Sequence, residues 1–145
     1  MTLPRPEPGL VIRYSYLWLR EYREGREEGI KDRPCAIVIC VTDEDETTRV
    51  TVLPVTHSPP QNPAAAVEIP QEIKQRLGLD AVRSWVTLDE GNEFIWPGPD
   101  LRPVPGADPA SVAYGFLPPR FFNAVRERYL ELARVRRARA VQRTE

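Results

Sequence analysis

The feature that most constrains this chain is an unbroken apolar run over residues 34–41, Pro-Cys-Ala-Ile-Val-Ile-Cys-Val. It is short and rich in β-branched side chains, the pattern of a strand buried on both faces. An acidic turn over residues 42–47, Thr-Asp-Glu-Asp-Glu-Thr, follows it. Residues 48–55, Thr-Arg-Val-Thr-Val-Leu-Pro-Val, then alternate between polar and apolar. Together the three segments predict an antiparallel hairpin. With the turn centred between Glu44 and Asp45, opposed residues carry numbers that sum to about 89. Directly opposed side chains share a face, so Arg33 and Thr56 should meet at the open end. A one-residue bulge would alter this register. Pro54 has no N–H, so the second strand is either an edge there or already leaving the ladder.

The rest of the chain reads as further strands and two helices. Residues 10–18 form a first strand, and the charge-dense segment 20–32, with Gly25 and Gly29, is a loop or a short frayed helix. Residues 67–69, 84–88 and 93–96 are short strands, the last stopped by Pro97-Gly98-Pro99. Pro70 fits a first helical turn, Ile73 and Leu77 an apolar stripe, and Gly78 a C-terminal cap. Residues 112–117 are ambiguous. A longer helix begins after Pro118-Pro119, with Phe122, Val125, Tyr129 and Leu132 on one face, as core or dimer contact. The predicted fold is mainly β, a small barrel of antiparallel strands with one short helix and a longer C-terminal helix. The chain reads as a single domain over 1–145. Its parts are a barrel core over 8–96, a Pro/Gly-rich insertion over 97–117, and a C-terminal helix with a basic tail over 118–140.

Composition narrows the function classes. At 145 residues and 41% apolar content the chain can bury one modest core. No stretch approaches the roughly 18 apolar residues of a membrane helix, and residues 1–9 have no apolar signal core. A cytoplasmic chain without membrane contact is expected. Cys35 and Cys40, five positions apart on one strand, should face opposite sides and stay as buried free thiols. One His and two Cys cannot assemble an ordinary zinc site, no clustered acidic motif asks for Mg²⁺, and no cofactor is expected. The net charge of −1 hides an asymmetry: residues 120–145 hold eight Arg against three Glu, so this tail carries +5 and the remainder −6. Such a tail touches phosphates or an acidic partner; the plainer reading is a solvated helix face.

A guanidinium beside a hydroxyl makes a workable phosphate site, because Arg supplies a planar fork of donors and Thr bridges to a second oxygen. The plainer reading is an Arg paired with a nearby carboxylate and a Thr that merely favours strand. His57, the only histidine, could serve as a general base beside a phosphate. Strand alternation would turn it away from Thr56, and an exposed loop histidine is the plainer role. Glu90 and Glu93 could supply base chemistry, though solvated turn carboxylates are commoner. Trp18, Trp85 and Trp96, with Tyr14 and Phe94, could stack on unpaired bases. In so small a domain most are core, and Trp96, beside Pro97-Gly98, is the candidate for an exposed RNA-stacking surface.

Several short motifs occur in order: Pro8-Gly9 before the first strand, the charged Gly-containing loop, and Arg33-Pro34 opening the apolar strand. Leu53-Pro54-Val55-Thr56 with Ser58 and then Ser84-Trp85-Val86-Thr87-Leu88-Asp89 follow. In this order they resemble the MazF/PemK family of toxin ribonucleases over roughly residues 8–96. The resemblance implies an SH3-like barrel, usually a homodimer, that cuts single-stranded RNA without a metal and is held off by an antitoxin protein. It further implies attack of the ribose 2′-hydroxyl on the adjacent phosphorus, with Arg33 and Thr56 as catalytic residues. Ser58 and Asp89 of the matching motifs, with His57, Glu90 and Glu93 from the reading of the residues themselves, are the candidate supporting groups. Where family members often carry Arg or Gln after the Leu-Asp step, this chain has Glu90-Gly91-Asn92-Glu93. The alternative is a non-catalytic module on the same barrel that binds RNA or a protein through its proline-rich loops and Arg-rich tail.

Overall fold

The computed structural model describes residues 3–25, 31–135 and 139–143. The chain is mainly β, with eight strands in one sheet among these residues: β1 (Leu10–Ser15), β2 (Asp32–Thr42), β3 (Thr48–Thr56), β4 (Ala66–Glu68), β5 (Trp85–Thr87), β6 (Glu90–Trp96), β7 (Ala113–Phe116) and β8 (Arg139–Gln142). Three α-helices accompany them: α1 (Leu19–Arg23), α2 (Gln71–Arg76) and the long α3 (Pro119–Arg134). Strands β4, β5, β3, β2, β1 and β7 are hydrogen-bonded in that order; β6 lies along β3, and β8 runs parallel to β6. No helix among the described residues is long and apolar enough to cross a membrane.

Strand β2 is buried on both faces, as its apolar run requires. Ala36 and Val38 belong to one core, closed by Leu77 of the α2 segment and by Phe122, Val125 and Tyr129 of α3. Cys35 and Ile37 belong to the other, with Ile12, Tyr14, Val50, Val52 and Phe94. The α3 stripe is therefore core: Phe122, Val125 and Tyr129 are buried and Leu132 packs against them. Gly9 enters β1 at φ +95°, where an added Cβ would sit 3.5 Å from the Phe122 ring.

The hairpin register is set by two opposing offsets. Near the turn the pairs Thr42↔Thr48 and Val41↔Arg49 sum to 90, because the loop centres on Asp45. A bulge between Ile37 and Ile39 leaves Val38 as an extra, unpaired residue on β2 and lowers the sum by one, so Ile37↔Val52 and Cys35↔Pro54 sum to 89. The bulge also corrects the expectation for the thiols. One extra residue inverts the strand's two-residue phase, so Cys40 packs against the same core that buries Cys35. Both cysteines are free, and only Cys35 is fully buried.

Two segments behave differently from their sequence reading. Glu90 to Asn92 are not a turn but the start of β6, paired with β3 and β8. Gly91 allows this, since a Cβ there would lie 2.9 Å from the Val52 carbonyl oxygen. The segment 97–117 runs along β1: Ser15 N donates to Asp100 O at 2.9 Å, Arg13 N to Val112 O at 2.8 Å, and β7 pairs with β1. The charged segment 20–32 carries α1, while 26–30 lie outside the described residues.

The basic tail is also not a uniform solvated face. Beyond α3 the chain adds β8, and Arg143 is buried with 8% exposure. Its guanidinium donates to Asn92 Oδ1 at 2.8 Å, Ser15 O at 3.0 Å, Tyr14 Oη at 3.3 Å and Asp100 Oδ2 at 2.8 Å. Arg102 lies 3.7 Å from Asp100 and 3.6 Å from Asp32, and Arg13 lies 3.9 Å from Asp32, so charge alternates from the surface inward. Removing one partner of a buried pair leaves an uncompensated charge. Arg143→Met is therefore expected to lower stability by about 3–5 kcal/mol, read from urea unfolding; an unchanged midpoint would show the network to be expendable.

Candidate functional site

The β2–β3 ladder ends at Cys35↔Pro54. Beyond it β3 pairs with β5 through Val55↔Val86 and Thr56↔Trp85, while Arg33 pairs with Tyr14 of β1. The parting strands leave a cleft of about 660 Å³ whose lining includes Tyr16, Trp18, Arg33, Thr56, His57, Ser58 and Glu90. Arg33 and Thr56 are thus neighbours across the cleft floor rather than a hydrogen-bonded pair.

Arg33 is held from two sides. Its guanidinium lies 5.0 Å from the centre of the Trp18 ring, a cation–π contact, and Nη1 donates to the Val55 carbonyl at 3.5 Å. Its Nε is buried without a partner. Burial lowers the Arg33 pKa from its ordinary value, but a guanidinium starts so high that it stays charged at neutral pH. Thr56 Oγ1 accepts from Ser58 N at 3.1 Å, so Ser58 fixes the hydroxyl through a local turn. The hydroxyl hydrogen is left to donate to an anion.

The acidic side of the cleft is more structured than a pair of solvated carboxylates. Glu90 Oε2 accepts from Tyr16 Oη at 2.8 Å and from Leu19 N at 2.9 Å. Burial raises the Glu90 pKa, against the opposing pull of those two donors. Burial, then the Glu90 charge, pushes Tyr16 well above its ordinary value. Glu21 also lines the cleft, with Oε1 accepting from Trp18 N at 3.1 Å and Oε2 buried without a partner.

Not every candidate residue lies here. Asp89 lines a neighbouring pocket that shares Thr56, Ser58 and Thr87 with the cleft. Glu93 faces the other end of the sheet, opposite Thr51 and 3.6 Å from Arg49. Trp96 is opposite Thr48 and stacks on Phe94, with ring centres 6.2 Å apart, so it is half-buried and distant from Arg33. The tryptophan in the cleft is instead Trp18. Its position just before the charged loop was the only signal in the sequence that could have singled it out. Tyr14 and Phe94 are core, stacked 4.6 Å apart. Among the described residues no three His, Cys, Asp or Glu side chains gather where they could hold a metal.

His57 does lie at the cleft, and it has a partner the sequence did not suggest. Its Nε2 is 2.9 Å from Asp80 Oδ2, and Asp80 Oδ1 is 2.6 Å from the buried Lys74 ammonium. A second pocket of about 330 Å³ adjoins the cleft, with Lys31, Arg33 and His57 lining both. Comparison with protein-family models, curated proteins and solved structures finds no match.

The raised Glu90 pKa has a signed consequence. Between the ordinary value of 4.5 and its raised value the folded state holds more protons than the unfolded chain, so Glu90 erodes stability as pH rises through that window. Glu90→Gln keeps an acceptor for Tyr16 and Leu19 without the charge. Its unfolding midpoint should match wild type near pH 4 and exceed it at pH 7; parallel curves would refute the assignment.

Proposed function

We propose that the cleft binds single-stranded RNA and cleaves it without a metal, the activity implied by the MazF/PemK resemblance. One observation carries this reading: Arg33, with an unpartnered Nε, shares the cleft with the Thr56 hydroxyl. A phosphodiester seated there would take donors from the guanidinium on one non-bridging oxygen and from Thr56 on the other. Attack by the ribose 2′-oxygen forms the O2′–P bond, and the P–O5′ bond breaks. The products are a cyclic phosphate and a free 5′-hydroxyl. Negative charge grows on the non-bridging oxygens in the transition state, where preorganised donors have their largest effect. Trp18, with Arg33 against its ring, would offer a surface on which a flanking base can stack.

The same reading carries the further expectations of the resemblance, a homodimer and an antitoxin that covers the cleft. A second reading has its own observation. Glu21 and Glu90 stand in the cleft, where carboxylates oppose a phosphate backbone, and on this reading the cleft is a non-catalytic binding site for RNA or for a protein segment.

Purified protein incubated with varied single-stranded RNAs in EDTA should release fragments with cyclic phosphate ends. Arg33→Ala should slow cleavage by about 10²–10³-fold, the usual cost of losing an oxyanion donor, and Thr56→Val should also impair it. Intact RNA at high protein concentration would sink the nuclease reading, and salt-sensitive binding without cleavage would install the binding module.

A further inference from the structure

Lys74 is one of only two lysines in the chain, and it is 1% exposed. An ammonium is costly to bury unless its donors are used. Here they are: Nζ donates to Asp80 Oδ1 at 2.6 Å, to Ser84 Oγ at 2.6 Å and to the Val82 carbonyl. Asp80 Oδ1 also accepts from Val82 N at 3.1 Å. The carboxylate is therefore fixed through one oxygen and presents the other, Oδ2, to His57 Nε2 at 2.9 Å. A surface tie between two loops would gain little from a His–Asp contact alone and would not need a buried ammonium behind it.

We infer that His57 is the proton-transfer residue of the cleft, with Asp80 and Lys74 as its positioning residues. The inference rests on the RNA-cleavage reading and names the base that reading requires. The Lys74 hydrogen bond holds Asp80 below its ordinary carboxyl range, so Asp80 is an anion that can only accept. The proton between the two groups accordingly sits on Nε2, and the neutral imidazole keeps a bare lone pair on Nδ1. His57 lines both the cleft and the adjoining pocket, beside Arg33 and Lys31.

In the proposed step Nδ1 takes the proton of the ribose 2′-hydroxyl as the O2′–P bond forms. The P–O5′ bond breaks and the departing oxygen takes a proton from water; the imidazolium later returns its proton to water. The Asp80 carboxylate stabilises the imidazolium while it lasts. The other charged groups facing these hollows are Lys31 just before β2, Asp32 and Arg33 from β2, and Arg13 from β1. Across the cleft they are Arg20, Glu21 and Glu90.

Three measurements test the inference, and one needs no activity. Because His57 is the only histidine, long-range proton–nitrogen NMR reads its tautomer alone. The Nε2–H form should exceed its share in free histidine in wild type and fall back toward that share in Asp80→Ala, which removes the acceptor. His57→Gln keeps an N–H toward Asp80 but cannot accept the proton. It should cut RNA about 10²–10³-fold more slowly and lose the base-dependent rise of rate with pH, as expected for a lost general base. Added imidazole should restore activity to His57→Gly, which a purely structural role would not allow. If wild type cuts RNA while His57→Gln matches it with an unchanged pH profile, or if Nδ1–H dominates, the inference fails and the nuclease reading stands. If wild type cuts no RNA, the nuclease reading fails and the inference with it.

Discussion

Everything at the candidate site depends on where the β2–β3 ladder stops. Pro54 brings no N–H to either neighbour, and it sits where both edges of β3 change partners. On one edge Pro54 is the last residue paired with β2; on the other, pairing with β6 stops at Val52 and pairing with β5 starts at Val55. A strand that must exchange partners at a residue without a donor separates from its former neighbour. The gap is the cleft, and Arg33 and Thr56 stand two residues beyond the last pair, just past Pro34 and Val55. The leucine and valine flanking Pro54 are buried in the core that α2 and α3 close, so the parting is anchored by packing.

Two buried cations hold the edges of this arrangement. Arg143 ties β8 to β6, β1 and the 97–117 segment through Asn92, Ser15, Tyr14 and Asp100. Lys74 ties α2 to the loop before β5 through Asp80, Val82 and Ser84. Each satisfies several acceptors at once, which is the condition under which a buried charge is tolerable. The difference lies in what is left over. The Arg143 cluster continues from Asp100 to Arg102 and Asp32 on the surface, outside the cleft, whereas the Lys74 cluster leaves one Asp80 oxygen facing a half-exposed imidazole at the rim of the cleft.

The hairpin shows how local patterns can place a site despite errors in detail. A turn centred half a residue too early and a bulge that could not be foreseen cancel at the open end, so the expected register holds around Cys35 and Pro54. The same bulge did not cancel for the thiols, because Cys35 and Cys40 lie on either side of it. Bulges carry little sequence signal in a run where every residue is apolar, since either phase buries a hydrophobic side chain.

The sequence alone determined the elements whose pattern is intrinsic to the strand or helix that carries it. These are the doubly buried β2, the alternating β3, the proline-led α2 and α3, and the mainly β class they add up to. Only the tertiary structure decided which polar residues work inside. Lys74 sits between Ile73 and Leu77 and reads as the wet side of a short helix, and Arg143 reads as one more charge in a basic tail. Their acceptors come from segments far along the chain or from the next loop, so no local period announces them. The pairing of His57 with Asp80 belongs to the same class. It joins residues 23 positions apart through a fold that must first exist, and it turns an apparently ordinary loop histidine into the most specific chemical feature of the cleft.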